Sequence, residues 1–110
     1  MSDIYPFNID ISIDDINDLK SRIKSTRWPE KETVKNWNQG TPLSYMKEIS
    51  DYWINDYNWK EREEYYNSFD QYITKIDELD IHFIHIESEL ENATPLIMSH
   101  GWPGSIVDFH

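Results

Sequence analysis

The chain contains no cysteine. This excludes a disulfide framework and any cysteine-ligated metal site. Bases are scarce: Lys and Arg total 10 against 21 Asp and Glu, for a net charge of -11. Such a surface repels phosphates, which argues against nucleic acid and anionic membranes as partners. No apolar run approaches the roughly 20 residues needed to span a bilayer. No charged-then-apolar leader opens the sequence. The expectation is a soluble, cytoplasmic protein. No internal repeat and no low-complexity segment is visible.

Aromatic residues, by contrast, are abundant: five Trp, seven Tyr and four Phe. Disordered chains lack them, so this composition argues for a packed fold. Apolar residues are only 38% of the total, below the usual share for a globular domain. At 110 residues, the chain is one domain or part of one, long enough to bury roughly two-thirds of its unfolded surface.

Residues 1–11 alternate apolar and polar side chains (Phe7, Ile9, Ile11), the pattern of an extended arm. Ser12 with Asp15 three residues on resembles a capping box. The helix it starts carries Ile16, Leu19 and Ile23 on one face and ends near Trp28, because Pro29 disfavours helix in the residue before it. Residues 29–40 read as a loop. Thr41-Pro42 predicts a new helix, with the Thr41 hydroxyl as cap and Pro42 at the first helical position. Leu43, Met46, Ile49 and Trp53 form its apolar stripe. Asn58 with Glu61 opens a third helix running to about Phe69. From Gln71 the period changes. Tyr72–Ile76 and Ile81–Ile86 predict an antiparallel hairpin about Asp77-Glu78, without the usual turn glycine. Residues 87–95 read as a polar loop, Leu96–Ser99 as a short buried strand, and 105–110 as the start of a helix.

The run His100-Gly101-Trp102-Pro103-Gly104-Ser105 directly follows that apolar strand. Taken alone it is either a tight turn or a loop that presents backbone N–H groups. Gly101 and Gly104 permit geometry that a Cβ would obstruct, and Pro103 fixes its own φ. His82 and His85 suggest a metal pair, but positions three apart on a strand face opposite ways, so ordinary sheet residues are the better reading. Asp108 and His110 follow the turn on a probable helix and read as solvated residues, not as nucleophile and base. Trp37, Tyr52, Trp53, Tyr57, Trp59, Tyr65, Tyr66 and Phe69 read as packing anchors before a ligand groove. The many carboxylates read as solvated helix faces.

Several segments together resemble the N-terminal region of the microsomal and juvenile-hormone type epoxide hydrolases, members of the α/β-hydrolase superfamily. They are Tyr5-Pro6-Phe7, Thr26-Arg27-Trp28-Pro29, Trp37 with Gly40-Thr41-Pro42-Leu43, Asp51-Tyr52-Trp53, Trp59, Ile76-Asp77 with Leu79, Ile81–His85, and Ser99–Ser105. They occur in the family's order across nearly the whole chain.

The resemblance implies a partial α/β-hydrolase fold. Residues 1–70 would be a helical meander. Residues 71–110 would begin the core, with the hairpin, a third strand and the oxyanion-hole turn. It implies a family that hydrolyses epoxides to vicinal diols through an alkyl-enzyme ester. The Trp102 backbone N–H would be an oxyanion donor next to a cis Trp102–Pro103 bond. The Trp102 indole and Pro103 would line the epoxide pocket, and His100 would brace the loop. No metal or other cofactor is implied. The family's nucleophilic Asp, Tyr acids, and closing carboxylate and His have no counterparts among these 110 residues. Residues 1–110 are therefore expected to be inactive alone. The alternative is a non-catalytic interaction module that pairs with itself or with a hydrolase chain; a remnant without function is the third reading.

Overall fold

The computed structural model describes residues 3–109. Three helices and three strands form among the described residues: β1 (Ile4–Pro6), α1 (Ile13–Lys24), α2 (Leu43–Asn55), α3 (Trp59–Asn67), β2 (Gln71–Ile76) and β3 (Leu79–Ile84). Short 3-10 turns lie at Trp37–Gln39 and Ile106–Phe109. Asp10–Arg62 make one compact unit. The described residues up to Ile9 and from Glu63 onward make the other. The N-terminal arm belongs with the strands, β1 pairing with β2.

In the Asp10–Arg62 unit, the helix ends are set by side chains. Ser12 Oγ accepts the Asp15 N–H at 3.1 Å and its hydroxyl donates to the Asp15 carboxylate at 2.7 Å. Half of a capping box is thus made. α1 stops at Lys24, earlier than Pro29 requires. Ser25 N–H donates to the Ser21 and Arg22 carbonyls, and Thr26 N–H to Ile23, at 3.0–3.2 Å. These bonds close the last turn before Trp28 is reached. α2 also departs from expectation. Pro42 is the cap residue, and no local side chain caps the helix. Instead the Glu32 carboxylate, eleven residues upstream, accepts the Leu43 N–H at 2.9 Å. The same bond holds Glu32 below the ordinary carboxylate range, helped by its own backbone N–H and by Lys31.

The expected α2 stripe is not a buried one. Met46, Ile49 and Trp53 are all exposed, and Ile54 is the one buried hydrophobic residue among those described. Ile49 and Trp53 line an open apolar groove with Ile11, Ile16, Leu19 and Tyr52. A stripe read from period alone identifies one helix face; it does not supply the surface that covers it.

In the other unit, β2 and β3 pair antiparallel, with Ile76 opposite Leu79 and Gln71 opposite Ile84. The two-residue turn is built from Asp77 (φ 49) and Glu78 (φ 67). Both are left-handed, as a type I′ hairpin turn demands, without the glycine that eases it. β1 adds to the free edge of β2, with Ile4 opposite Thr74 and Pro6 opposite Tyr72. The sheet order is therefore β1-β2-β3.

The third strand expected at Leu96–Ser99 is absent. That stretch has no strand partner among the described residues, and Leu96 and Ile97 are 77% and 92% exposed. A strand exists only by pairing, and a parallel pair needs a distant partner. The helix expected from Ser105 is a 3-10 turn in the described residues. His110 lies outside them.

Candidate functional site

The turn at residues 100–105 is held together through one carbonyl. Gly104 N–H donates to the Gly101 oxygen at 2.7 Å. His100 Nδ1 lies 3.3 Å from the same oxygen and donates to it in the Nδ1–H tautomer. The peptide joining Gly101 to Trp102 is trans, since Trp102–Pro103 is the cis bond recorded here. In a planar trans peptide the C=O and N–H point in opposite directions. Pinning the Gly101 oxygen into the turn therefore turns the Trp102 N–H outward. No acceptor among the described residues takes that N–H. The indole that follows is 96% exposed. An outward, unused N–H on a braced turn is a donor available to an anionic oxygen.

The two glycines differ. A Cβ at Gly104 would collide with the Asp108 carboxylate and come within 2.9 Å of the Gly101 oxygen. A Cβ at Gly101 would meet nothing. Only Gly104 is required by this turn, contrary to the expectation for both. Ser105 also has a part that the sequence did not reveal. Its hydroxyl accepts the Val107 N–H at 3.3 Å, and its carbonyl accepts the Asp108 N–H at 3.0 Å. This starts the 3-10 turn on which Asp108 sits, exposed. A Ser followed by apolar residues is a weak capping signal, but it is present in the sequence.

The other sequence candidates are not brought to this turn. His82 Nε2 lies 2.9 Å from Gln71 Oε1, and its ring packs 4.9 Å from Phe7. Burial lowers its pKa. His85 is exposed just past β3. No group of three or more His, Asp or Glu among the described residues is placed to hold a metal ion. The aromatic set divides into local pairs: Trp37 with Tyr45, Tyr52 with Tyr57, and Tyr65 with Tyr66 and Phe69, at 5.0–6.4 Å and mostly edge-on. Sequence reasoning missed Gln71, a polar residue only 3% exposed. Strand periodicity carries no sign that its first position is buried. No helix among the described residues is long and apolar enough to cross a membrane.

Residues 4–109 match the family model described as epoxide hydrolase N terminus. A Stigmatella aurantiaca protein, provisionally named an epoxide hydrolase, is 45% identical over 96% of this chain and 24% of its own length. The juvenile hormone epoxide hydrolase of Manduca sexta is 40% identical over 96% of this chain and 24% of its own. Among solved structures, an enantioselective mutant of the Aspergillus niger epoxide hydrolase superposes with a TM-score of 0.87. It is 30% identical, covering 97% of this chain and 28% of that one. The chain thus spans about a quarter of the length of the relatives it matches. The fold is a partial α/β-hydrolase fold. The matches favour the hydrolase reading over a stand-alone interaction module.

Proposed function

Because this chain belongs to the epoxide hydrolase N-terminal family, we propose that it supplies the oxyanion side of an active site that opens epoxides to vicinal diols. The carrying observation is the Trp102 N–H, turned out of the loop by the pinned Gly101 carbonyl. In this reading, residues 1–70 are the family's meander and residues 71–110 begin the hydrolase core. A carboxylate elsewhere in the active site opens the epoxide and becomes an alkyl ester. Water then attacks the ester carbonyl, and its oxygen becomes negative. The Trp102 N–H stabilises that oxygen more than the neutral ester it came from, so it accelerates hydrolysis of the intermediate. His100 acts as a positioning residue by fixing the Gly101 carbonyl. The Trp102 indole and Pro103 form part of the wall around a small apolar epoxide. Neither a metal nor another cofactor is needed, and the reaction is placed in the cytoplasm. Residues 1–110 alone carry no turnover.

The test has two arms. The purified chain, offered styrene oxide, is expected to form no diol above a Trp102→Pro control; diol formation above that control would overturn the claim of inactivity. In a chimaera, this segment replaces the matching quarter of the Stigmatella aurantiaca relative. There, Trp102→Pro removes one oxyanion donor and should slow hydrolysis of the alkyl-enzyme by about 100- to 1000-fold. Loss of the indole wall should slow alkylation as well, but by less than hydrolysis, so the ester accumulates. Unchanged hydrolysis, or equal loss of both steps, would remove Trp102 from the proposed role.

A further inference from the structure

β1 is poorly secured by its own pairing. It has three residues, lies at the sheet edge, and exposes Ile4 and Tyr5 by 59% each. Pro6 has no N–H to give to the ladder. Yet the chain stays on β2 beyond β1, and the reason is a set of side-chain amides. Phe7 N–H donates to the Gln71 backbone carbonyl at 2.8 Å, the last main-chain bond of the arm to β2. The Asn67 amide then grips Ile9 from both sides. Its Oδ1 accepts the Ile9 N–H at 2.9 Å, and its Nδ2 donates to the Ile9 carbonyl at 2.8 Å. One side chain thus copies the bonding of a strand neighbour, across 58 positions of sequence.

The orientation of that amide is not free. Gln71 Nε2 donates to Asn67 Oδ1 at 3.1 Å and to the Tyr66 carbonyl at 2.8 Å. Gln71 therefore turns its Oε1 toward His82 Nε2, 2.9 Å away. Because that oxygen can only accept, His82 carries its proton on Nε2. The His82 ring also packs on Phe7, a residue of the arm itself. Each amide has a donor opposite each acceptor, and a half-turn of either would place like against like. Such a connected network holds one arrangement and is lost as a unit.

We propose that residues 3–9 are a strap closed by a polar latch, in which Asn67 grips the backbone while Gln71 and His82 orient the grip. The strap opens without melting the β2–β3 hairpin, and opening bares the outer edge of β2. The hairpin has six register pairs of its own against three for β1, so it does not depend on the strap. His82 acts through Gln71 and touches the arm only by its ring.

Amide hydrogen exchange on the full chain tests this. In Asn67→Ala, the Phe7 and Ile9 amides should exchange faster by about tenfold or more, while β2–β3 amides bonded to each other keep their rates. His82→Phe keeps a ring against Phe7 but removes the Nε2 donor. It should speed the same amides by a smaller factor. Unchanged Phe7 and Ile9 exchange in Asn67→Ala would overturn the latch. Acceleration of strap and hairpin together would overturn independent opening. Should Asn67→Ala not fold, the wild-type chain in rising sub-denaturing urea decides. The strap amides should exchange through an opening with weaker urea dependence than the hairpin amides, and identical dependence would refute the proposal.

Discussion

Glu78→Gly should stabilise this protein, although it deletes an entire side chain. Glu78 sits at φ 67, directly after Asp77 at φ 49, in the turn between β2 and β3. A left-handed conformation costs an L-residue roughly 1–2 kcal/mol. Glycine does not carry that cost, but it loses more chain entropy on folding, about 0.5–1 kcal/mol. Glu78 is exposed, so little packing is lost. The net gain is on the order of 0.5–1 kcal/mol, or a rise of a few degrees in Tm for a unit of this size. Urea unfolding followed by near-UV circular dichroism, together with hydrogen exchange across the hairpin, would measure it. Glu78→Ala is the control. It removes the same charge and bulk but keeps a Cβ, and it should not stabilise. Gly40→Ala is the converse. A Cβ there meets nothing within 4 Å, but Gly40 lies at φ 103 and ψ -161, a region essentially reserved for glycine, so a loss of about 1–3 kcal/mol is expected. If Glu78→Gly were neutral or destabilising with the turn geometry unchanged, or if Glu78→Ala stabilised equally, backbone conformation would not be the controlling term.

Four further substitutions probe the rest of the chain. Ile54→Ala removes the one buried hydrophobic side chain among the described residues and should cost about 2–4 kcal/mol, read as a lower urea midpoint of the Asp10–Arg62 unit. Glu32→Gln should weaken the start of α2 in a pH-dependent way. The folded protein holds Glu32 below its ordinary value of 4.5, so the ionised carboxylate contributes fully above that value. Its contribution fades as pH falls through the lower folded-state value. Melts of wild type and variant should differ at neutral pH and converge in acid; a difference that grew in acid would contradict the assignment. Gly104→Ala should disrupt the turn through Asp108 and the Gly101 carbonyl, whereas Gly101→Ala should leave it intact. NMR shifts of residues 100–109 would separate the two, and equal effects would refute the distinction.

What the sequence determined by itself lies within short reach of each residue. Ser12 and Asp15 begin α1 because a hydroxyl can meet an N–H three residues on. Asn58 begins α3 in the same way, its Oδ1 accepting the Lys60 N–H at 3.2 Å and its Nδ2 meeting Glu61 at 2.9 Å. The hairpin follows from strand alternation about a two-residue turn. The run from His100 to Ser105 carries its own cis peptide and its own pinned carbonyl. Family membership was legible for the same reason, since these local motifs stand in a recognisable order.

Tertiary structure alone decided what depends on residues far apart in the chain. Glu32 replaced Thr41 as the partner of the α2 N-terminus because a loop brought a carboxylate within 2.9 Å of Leu43. The arm became β1 because β2 had an unpaired edge beside it. Gln71 became buried because Asn67, Tyr66 and His82 satisfy it. Leu96–Ser99 reads as a strand in sequence yet is exposed and has no strand partner among the described residues. Caps and turns are bonded within a few residues, so composition and spacing specify them. Strand pairing and burial require a second surface, and no local pattern states which surface that is.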